Sequence, residues 1–399
     1  MTLVAGRLPT GADLARWASA DASARPLRLA ALRERMAQEG VGAYFGVRRE
    51  NTRYLTGFEL GEGEEKSAGN SGQFLVGLDD LAVLADSRYW IQAAEQCPDA
   101  RVERVYNDVF ERWPQLLAGV GSPKRVAIEA GFVSHLTWQR LAAAAPDVEL
   151  VVAENWVETL RQVKEPAEIE RIAAACAVTD AALSRILPTL RPGMAEIEVA
   201  LALEWEIRTG GAEALAFDVT VLSGPRAAMP HGSPTQRRLA LGEVLLFDIG
   251  SQVAGYRSDM TRTLFVGEPS SRDLDIYALV ARAQQAPIDA LAAATAAGER
   301  PSGRALHIVA RDVIATAGHG DHFGHGLGHG IGLATHELPG LGMTAPDEPL
   351  PSPTVFTSEP GVYLDTEMGV RIEDTLVFDA DARRLDRLTL FPREVTVVG

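Results

Sequence analysis

Five residues in the second half of the chain have the types and contexts that metal chemistry needs. Asp248 ends the apolar run Val244–Phe247, and Asp259 sits in Tyr-Arg-Ser-Asp-Met-Thr-Arg-Thr. His329 lies in a Gly/His segment, Glu359 in Ser-Glu-Pro-Gly-Val-Tyr, and Glu373 in Gly-Val-Arg-Ile-Glu-Asp-Thr. A carboxylate in an apolar strand is costly unless it is paired or holds a cation. Four carboxylates with one imidazole form a donor set that suits Mn2+, Co2+ or Zn2+. Two such cations about 3.5–4 Å apart can share a hydroxide and polarise a scissile carbonyl. Any one of these acids alone reads as a cap or a surface residue. The five together argue for a two-metal site.

Histidine placement sharpens this. Five of the eight histidines fall between His319 and His336, interleaved with glycines at 318, 320, 324, 326, 328, 330 and 332. Such glycine density is expected to bring backbone close to a ligand or to supply positive φ. His319 and His322 read as surface-loop residues, whereas His325, His329 and His336 read as functional.

In order, Asp248-x-Gly250, Ser258-Asp259-Met-Thr-Arg262-Thr, His325-Gly-x-Gly-His329-Gly-Ile-Gly, Ser358-Glu359-Pro-Gly and Val370-Arg371-Ile-Glu373-Asp374 resemble the pita-bread metallopeptidases. Within them the likeness is to the Xaa-Pro branch, prolidase (Xaa-Pro dipeptidase) and aminopeptidase P, over essentially the whole chain. Asp86-Ser-Arg-Tyr89 resembles a segment of that branch's N-terminal domain. The resemblance implies that Asp248 chelates one metal, that Asp259 and Glu373 bridge both, and that His329 and Glu359 hold the second. It implies Glu359 as general base and acid, with His231 and His336 also catalytic. His231, His325, His336, Tyr363 and Arg371 would bind substrate, and Arg371 reads equally as a partner for a ligating carboxylate. The implied activity is hydrolysis of the Xaa-Pro imide bond by a metal-bridging hydroxide, with dipeptides favoured and longer peptides the alternative. Two divalent ions are implied, Mn2+ first, and a homodimer. A metal-free creatinase-like C–N hydrolase and a non-catalytic binding module of the same fold are more remote, because the full ligand set is present.

The elements that must position these residues are readable in outline. A first domain, 1–163, alternates strands and helices, as an α/β domain with a mixed sheet does. Residues 1–25 are expected to form an irregular arm, followed by a helix from Pro26 to Glu39 with Pro26 in its first turn. Phe74–Gly77 and Leu81–Ala85 read as a hairpin. Glu59–Gln73, rich in Gly and Glu, reads as a long loop that could restrict substrates to dipeptides with Arg48, Arg49 or Lys66 nearby. No glycine-rich phosphate loop is present. Lys164-Glu165-Pro166 marks the start of an α+β catalytic domain, 164–399. Its first helix carries Ile169, Ile172, Cys176, Leu183 and Ile186 on one face, and its second Ile197, Leu201 and Trp205. Strands, two further helices and more strands follow, an order that suits two similar halves.

At 399 residues two domains are the natural prior. The formal charge of −16 argues against nucleic acid and anionic membrane as partners. No run reads as the roughly 20 apolar residues of a membrane span. Two cysteines in unrelated contexts, Cys97 and Cys176, suit a reducing cytoplasm.

Overall fold

The computed structural model describes residues 5–60 and 70–399. They divide into two compact units, Ala15–Leu160 and Arg161–Gly399, the latter joined by the residues before Ala15.

In the first unit, strands β1 (Ala43–Gly46), β2 (Phe74–Gly77), β3 (Leu81–Ala85), β4 (Arg101–Arg104), β5 (Arg125–Ile128) and β6 (Glu149–Val152) form one sheet in the order β4-β3-β2-β1-β5-β6. The sheet is mixed: β1–β2 and β2–β3 are antiparallel, while β3–β4, β1–β5 and β5–β6 are parallel. Phe74 faces Val83 and Leu75 faces Ala82 in the expected hairpin. Helices α1 (Gly11–Gln38), α2 (Arg49–Thr56), α3 (Trp90–Gln96), α4 (Val109–Ala118), α5 (His135–Ala144) and α6 (Trp156–Arg161) complete the run. Phe45 meets Trp113 edge-on at 5.0 Å within the apolar cluster of this unit.

Helix α1 corrects the sequence reading. It starts at Gly11, where an irregular arm was expected, and Pro26 lies inside it. Its start is fixed by a reciprocal cap: Thr10 N and Oγ1 donate to Asp13 Oδ2 at 3.0 and 2.6 Å, and Asp13 N donates back to Thr10 Oγ1. Trp17, Leu29, Leu32 and Met36 are buried along one side, and that burial outweighs the hydrogen bond the proline removes. Most of the Glu59–Gln73 loop, including Lys66, lies outside the described residues. Arg48 is committed to Glu50 and Glu158, both at 3.0 Å.

The second unit runs helices then strands, twice. Helices α7 (Pro166–Ile186) and α8 (Glu196–Thr209) precede β7 (Ala214–Leu215), β8 (Thr220–Ser223), β9 (Glu243–Ile249), β10 (Ser251–Val253), β11 (Tyr256–Arg257) and β12 (Met260–Val266). Helices α9 (Ser271–Ala297) and α10 (Gly303–Thr316) precede β13 (Gly328–Gly330), β14 (Glu337–Leu341), β15 (Thr354–Ser358), β16 (Gly361–Leu364), β17 (Met368–Arg371), β18 (Asp374–Asp379) and β19 (Arg384–Arg387), with β20 (Val397–Val398) closing the chain. The two main sheets are β20-β12-β9-β8 and β14-β13-β15-β18-β19.

Pro166 occupies the first turn of α7, and Glu165 N donates to Glu168 Oε2 at 2.7 Å to cap it. By length and composition the window 166–189 could cross a membrane, contrary to the sequence reading. Of its most apolar 18-residue stretch 61% is buried, and the helix packs on α8, β10 and β11, as a core helix does. On α8 the helix is as expected but its inward face is not. Val199, Leu203 and Ile207 are buried, whereas Leu201 and Trp205 are exposed. Both i+4 rows are apolar, so periodicity alone did not choose between them.

Candidate active site

Register brings the acids together. Asp248 on β9 lies opposite Thr261 of β12 on one side and Thr220 of β8 on the other. Asp259 immediately precedes β12, and its carbonyl accepts Thr375 Oγ1 at 2.8 Å. Glu373 joins β17 to β18, and its N–H donates to Thr261 O at 3.1 Å. His329 sits on β13 between β14 and β15, and Glu359 follows β15, its N–H donating to Leu327 O at 2.7 Å.

The glycines around His329 serve strand packing rather than positive φ. Of the seven, Gly318 alone has positive φ. A Cβ at Gly328 would stand 2.0 Å from Thr357 O. Only glycine therefore lets β13 lie against β15, where His329 N donates to Thr357 Oγ1 at 3.2 Å.

All ten sequence-predicted site residues except Tyr363 line one pocket of about 730 Å3, and Tyr363 reaches it through its bonds to His325 and Arg371. His329 Nε2 is 3.3 Å from Glu359 Oε1 and 3.6 Å from Asp259 Oδ2. One ligand atom each of Asp259, His329 and Glu373 lie within 4.8 Å of one another. His329 Nδ1 is 3.0 Å from Gly330 O, so that nitrogen carries the proton and Nε2 is the donor atom turned to the acids. Arg371, 3% exposed, is a permanent cation in the site. Its Nη2 donates to Asp248 Oδ2 at 2.6 Å, its Nε to Thr261 Oγ1 at 2.8 Å and its Nη1 to Tyr363 OH at 2.9 Å. Tyr363, accepting from Arg371, is free to donate to His325 Nε2 at 2.9 Å, while His325 Nδ1 donates to Gly326 O at 2.8 Å. Both nitrogens of His325 are thus engaged.

The protein's own charges leave this pocket over-supplied with acid. Burial, with the charges of Glu373, Asp248 and Glu359, holds Asp259 well above the usual carboxylate range. Burial and the charges of Glu359 and Asp248 do the same to Glu373. Burial raises Asp248 too, against the pull of Arg371. Burial would also raise Glu359, but the hydrogen bond and charge of His329 outweigh it and carry it down to about 2. Burial opposes protonation of His329, yet Glu359 lifts it to about 9. Burial, then the charge of His329, brings His336 down to about 4. Asp248 Oδ1 and Glu373 Oε1 are buried without a hydrogen-bond partner. Orphaned buried carboxylate oxygens, mutual repulsion and a convergent imidazole are what divalent cations relieve, so the residues fit a metal centre.

Two threonines escaped the sequence reading. Thr261 donates to Glu373 Oε2 at 2.7 Å, and Thr357 Oγ1 donates to Glu359 Oε1 at 3.3 Å. Each lies two residues from a candidate ligand, so the strand period of two held the signal. Ile197, Ala200 and Phe217, which wall the pocket, carried no such signal.

Residues 170–380 match metallopeptidase family M24, and residues 28–163 match the creatinase/prolidase N-terminal domain. The Xaa-Pro dipeptidase of Pyrococcus furiosus is 33% identical over 287 residues, covering 72% of this chain and 79% of that one. Among solved structures, an Xaa-Pro dipeptidase from Bacillus anthracis gives a TM-score of 0.83 at 30% identity, covering 94% of this chain and 100% of that one. An X-Pro aminopeptidase from Thermotoga maritima gives 0.81 at 32% identity, covering 92% and 98%.

Proposed function

This chain belongs to metallopeptidase family M24, and from that premise we propose that it hydrolyses the Xaa-Pro bond of dipeptides. The observation that carries the reading is the convergence of Asp248, Asp259, His329, Glu359 and Glu373 on one pocket. The likeness to dipeptidases of the Xaa-Pro type supports the substrate class. Family membership implies divalent metal ions. We assign Asp248 to one ion, His329 and Glu359 to a second, and Asp259 and Glu373 to both, with Mn2+ preferred and Co2+ or Zn2+ able to substitute.

Bound there, the ions would supply Lewis acidity and a lowered pKa for the attacking water. The carboxylate of Glu359 takes the proton released as the C–O bond forms and returns it to the proline nitrogen as the C–N bond breaks. That nitrogen must be protonated as it leaves, because an amide anion is too basic a leaving group, and with no N–H of its own before proline it leaves as a secondary amine. His336, neutral by virtue of its low pKa, offers an N–H to the developing oxyanion. His231, exposed at the pocket's edge, binds substrate and serves the leaving group. Arg371 and Tyr363 fix Asp248 and His325 and so shape the wall that receives the proline.

We take residues 1–163 and 164–399 as the two domains, supported by family matches that end at 163 and begin at 170. Cys97 and Cys176, both free and buried, support a cytoplasmic location. Resemblance supports a homodimer, which light scattering on the purified protein tests. A panel of Xaa-Pro peptides of increasing length, assayed with defined metals, tests the activity. Cleavage of Xaa-Pro-Xaa tripeptides in preference to dipeptides would establish the aminopeptidase alternative instead.

A further inference from the structure

We propose that His319 and His322 form a second, peripheral site for an imidazole-seeking divalent cation such as Zn2+, Ni2+ or Cu2+, separate from the carboxylate pocket. The two lie three residues apart: His319 is the N-cap of a single 3-10 turn, Gly320–His322, and His322 ends it. His322 N donates to His319 O at 2.9 Å, which closes the turn. The imidazoles face each other with centroids 5.2 Å apart and planes at 47°. Their Nδ1 atoms are 3.2 Å apart. An ion about 2.05 Å from each nitrogen, an ordinary Zn–N length, would see that separation at roughly 100°, near the tetrahedral angle. Ligation needs both rings to carry their proton on Nε2, which a tautomer change supplies without net proton loss.

Three features of the surroundings support the assignment. The base of the turn is held, because Phe323 is buried and packs on the rings of His307 at 5.6 Å and His325 at 5.1 Å. Both histidines are half-buried, so water can complete the coordination. Burial, His322 and Arg272 lower the pKa of His319, which keeps it neutral and able to ligate near pH 7. Asp321 between the pair is exposed, and Arg272 is itself paired with Glu367 at 2.6 Å. The two sites differ in chemistry. Two imidazoles favour Cu2+, Ni2+ and Zn2+ and take up Mn2+ poorly, whereas the carboxylate pocket accepts Mn2+.

The test is metal uptake, independent of peptide hydrolysis. Untagged full-length protein, loaded with Mn2+, is dialysed against Zn2+ and its metal content measured. This is repeated for the double variant His319→Ala/His322→Ala and for the pocket variant Asp259→Asn/Glu373→Gln. The pair variant is expected to hold one Zn2+ fewer per chain than wild type, while the pocket variant keeps that equivalent. Cu2+ bound to the pocket variant is expected to show hyperfine coupling to two nitrogens, lost when the pair is also replaced. Equal Zn2+ uptake by wild type and pair variant would overturn the proposal. Since both histidines lie near the surface, that comparison stands even if the pocket variant fails to fold.

Discussion

Glu359 is tied at once to a histidine, a threonine and the pocket's charge balance. Glu359→Gln keeps its size and removes its ability to take a proton. We expect kcat to fall by about 10²–10⁴ or more with the circular dichroism spectrum unchanged; near-normal turnover would refute the assigned role. Arg371 tests the electrostatics. Arg371→Met leaves Asp248 without its cation, and breaking a buried pair costs about 3–5 kcal/mol. The lower end applies, because the Asp248 side chain keeps 17% exposure. Denaturant unfolding of the metal-free variant measures this, and an unchanged midpoint would show that Arg371 does not hold Asp248. At this scale the sequence was informative, since the ligand types, their order and their strand contexts pointed to one pocket. It was silent on tautomers and on which donors engage which oxygens, because these depend on contacts such as Arg371 to Tyr363 that no local pattern encodes.

The strands and turns set how tightly those residues are held. Gly328→Ala would drive a methyl into Thr357 O, separating β13 from β15. Overpacking of this kind costs about 1–3 kcal/mol, which denaturant unfolding reads, and we expect metal affinity to fall with it because His329 moves, which titration calorimetry reads. The turn that carries His336 is anchored by Glu337, whose side chain, only 2% exposed, pairs with Arg161 and with Lys164 at 2.9 Å. Burial pushes Glu337 up, but Arg161 and Lys164 outweigh it and hold it below the usual range. Its contribution to stability is therefore complete above about pH 4.3 and is lost as pH falls through the lower folded value. The gap in Tm between wild type and Glu337→Gln should be widest near neutrality and close as pH falls below about 4; a gap independent of pH would contradict the pairing. The sequence located most elements here because apolar periodicity and Gly/Pro punctuation are local. It missed the start of α1, because Pro26 suits a first turn and residues 1–25 carry no clear apolar period, while the cap at Thr10 and Asp13 is short and local. It also chose the wrong face of α8, because Leu201 and Trp205 are as apolar as the residues that are buried.

For the whole molecule, the order of elements and the two-part organisation could be read from alternating patterns and the Lys164-Glu165-Pro166 break. The position of the pocket could not, because it depends on pairings such as Asp248 with Thr261 between distant strands. If the pocket holds cations, the folded state binds them and the unfolded chain does not, so chelation should lower Tm and Mn2+ restore it in a concentration-dependent way. The most direct test of the account is the rate of proline release from an Xaa-Pro dipeptide and from the matching Xaa-Pro-Xaa tripeptide, with and without Mn2+. The account predicts Mn2+-dependent cleavage that favours the dipeptide and disappears in Glu359→Gln. A metal-loaded, folded protein that cleaves neither peptide would contradict it.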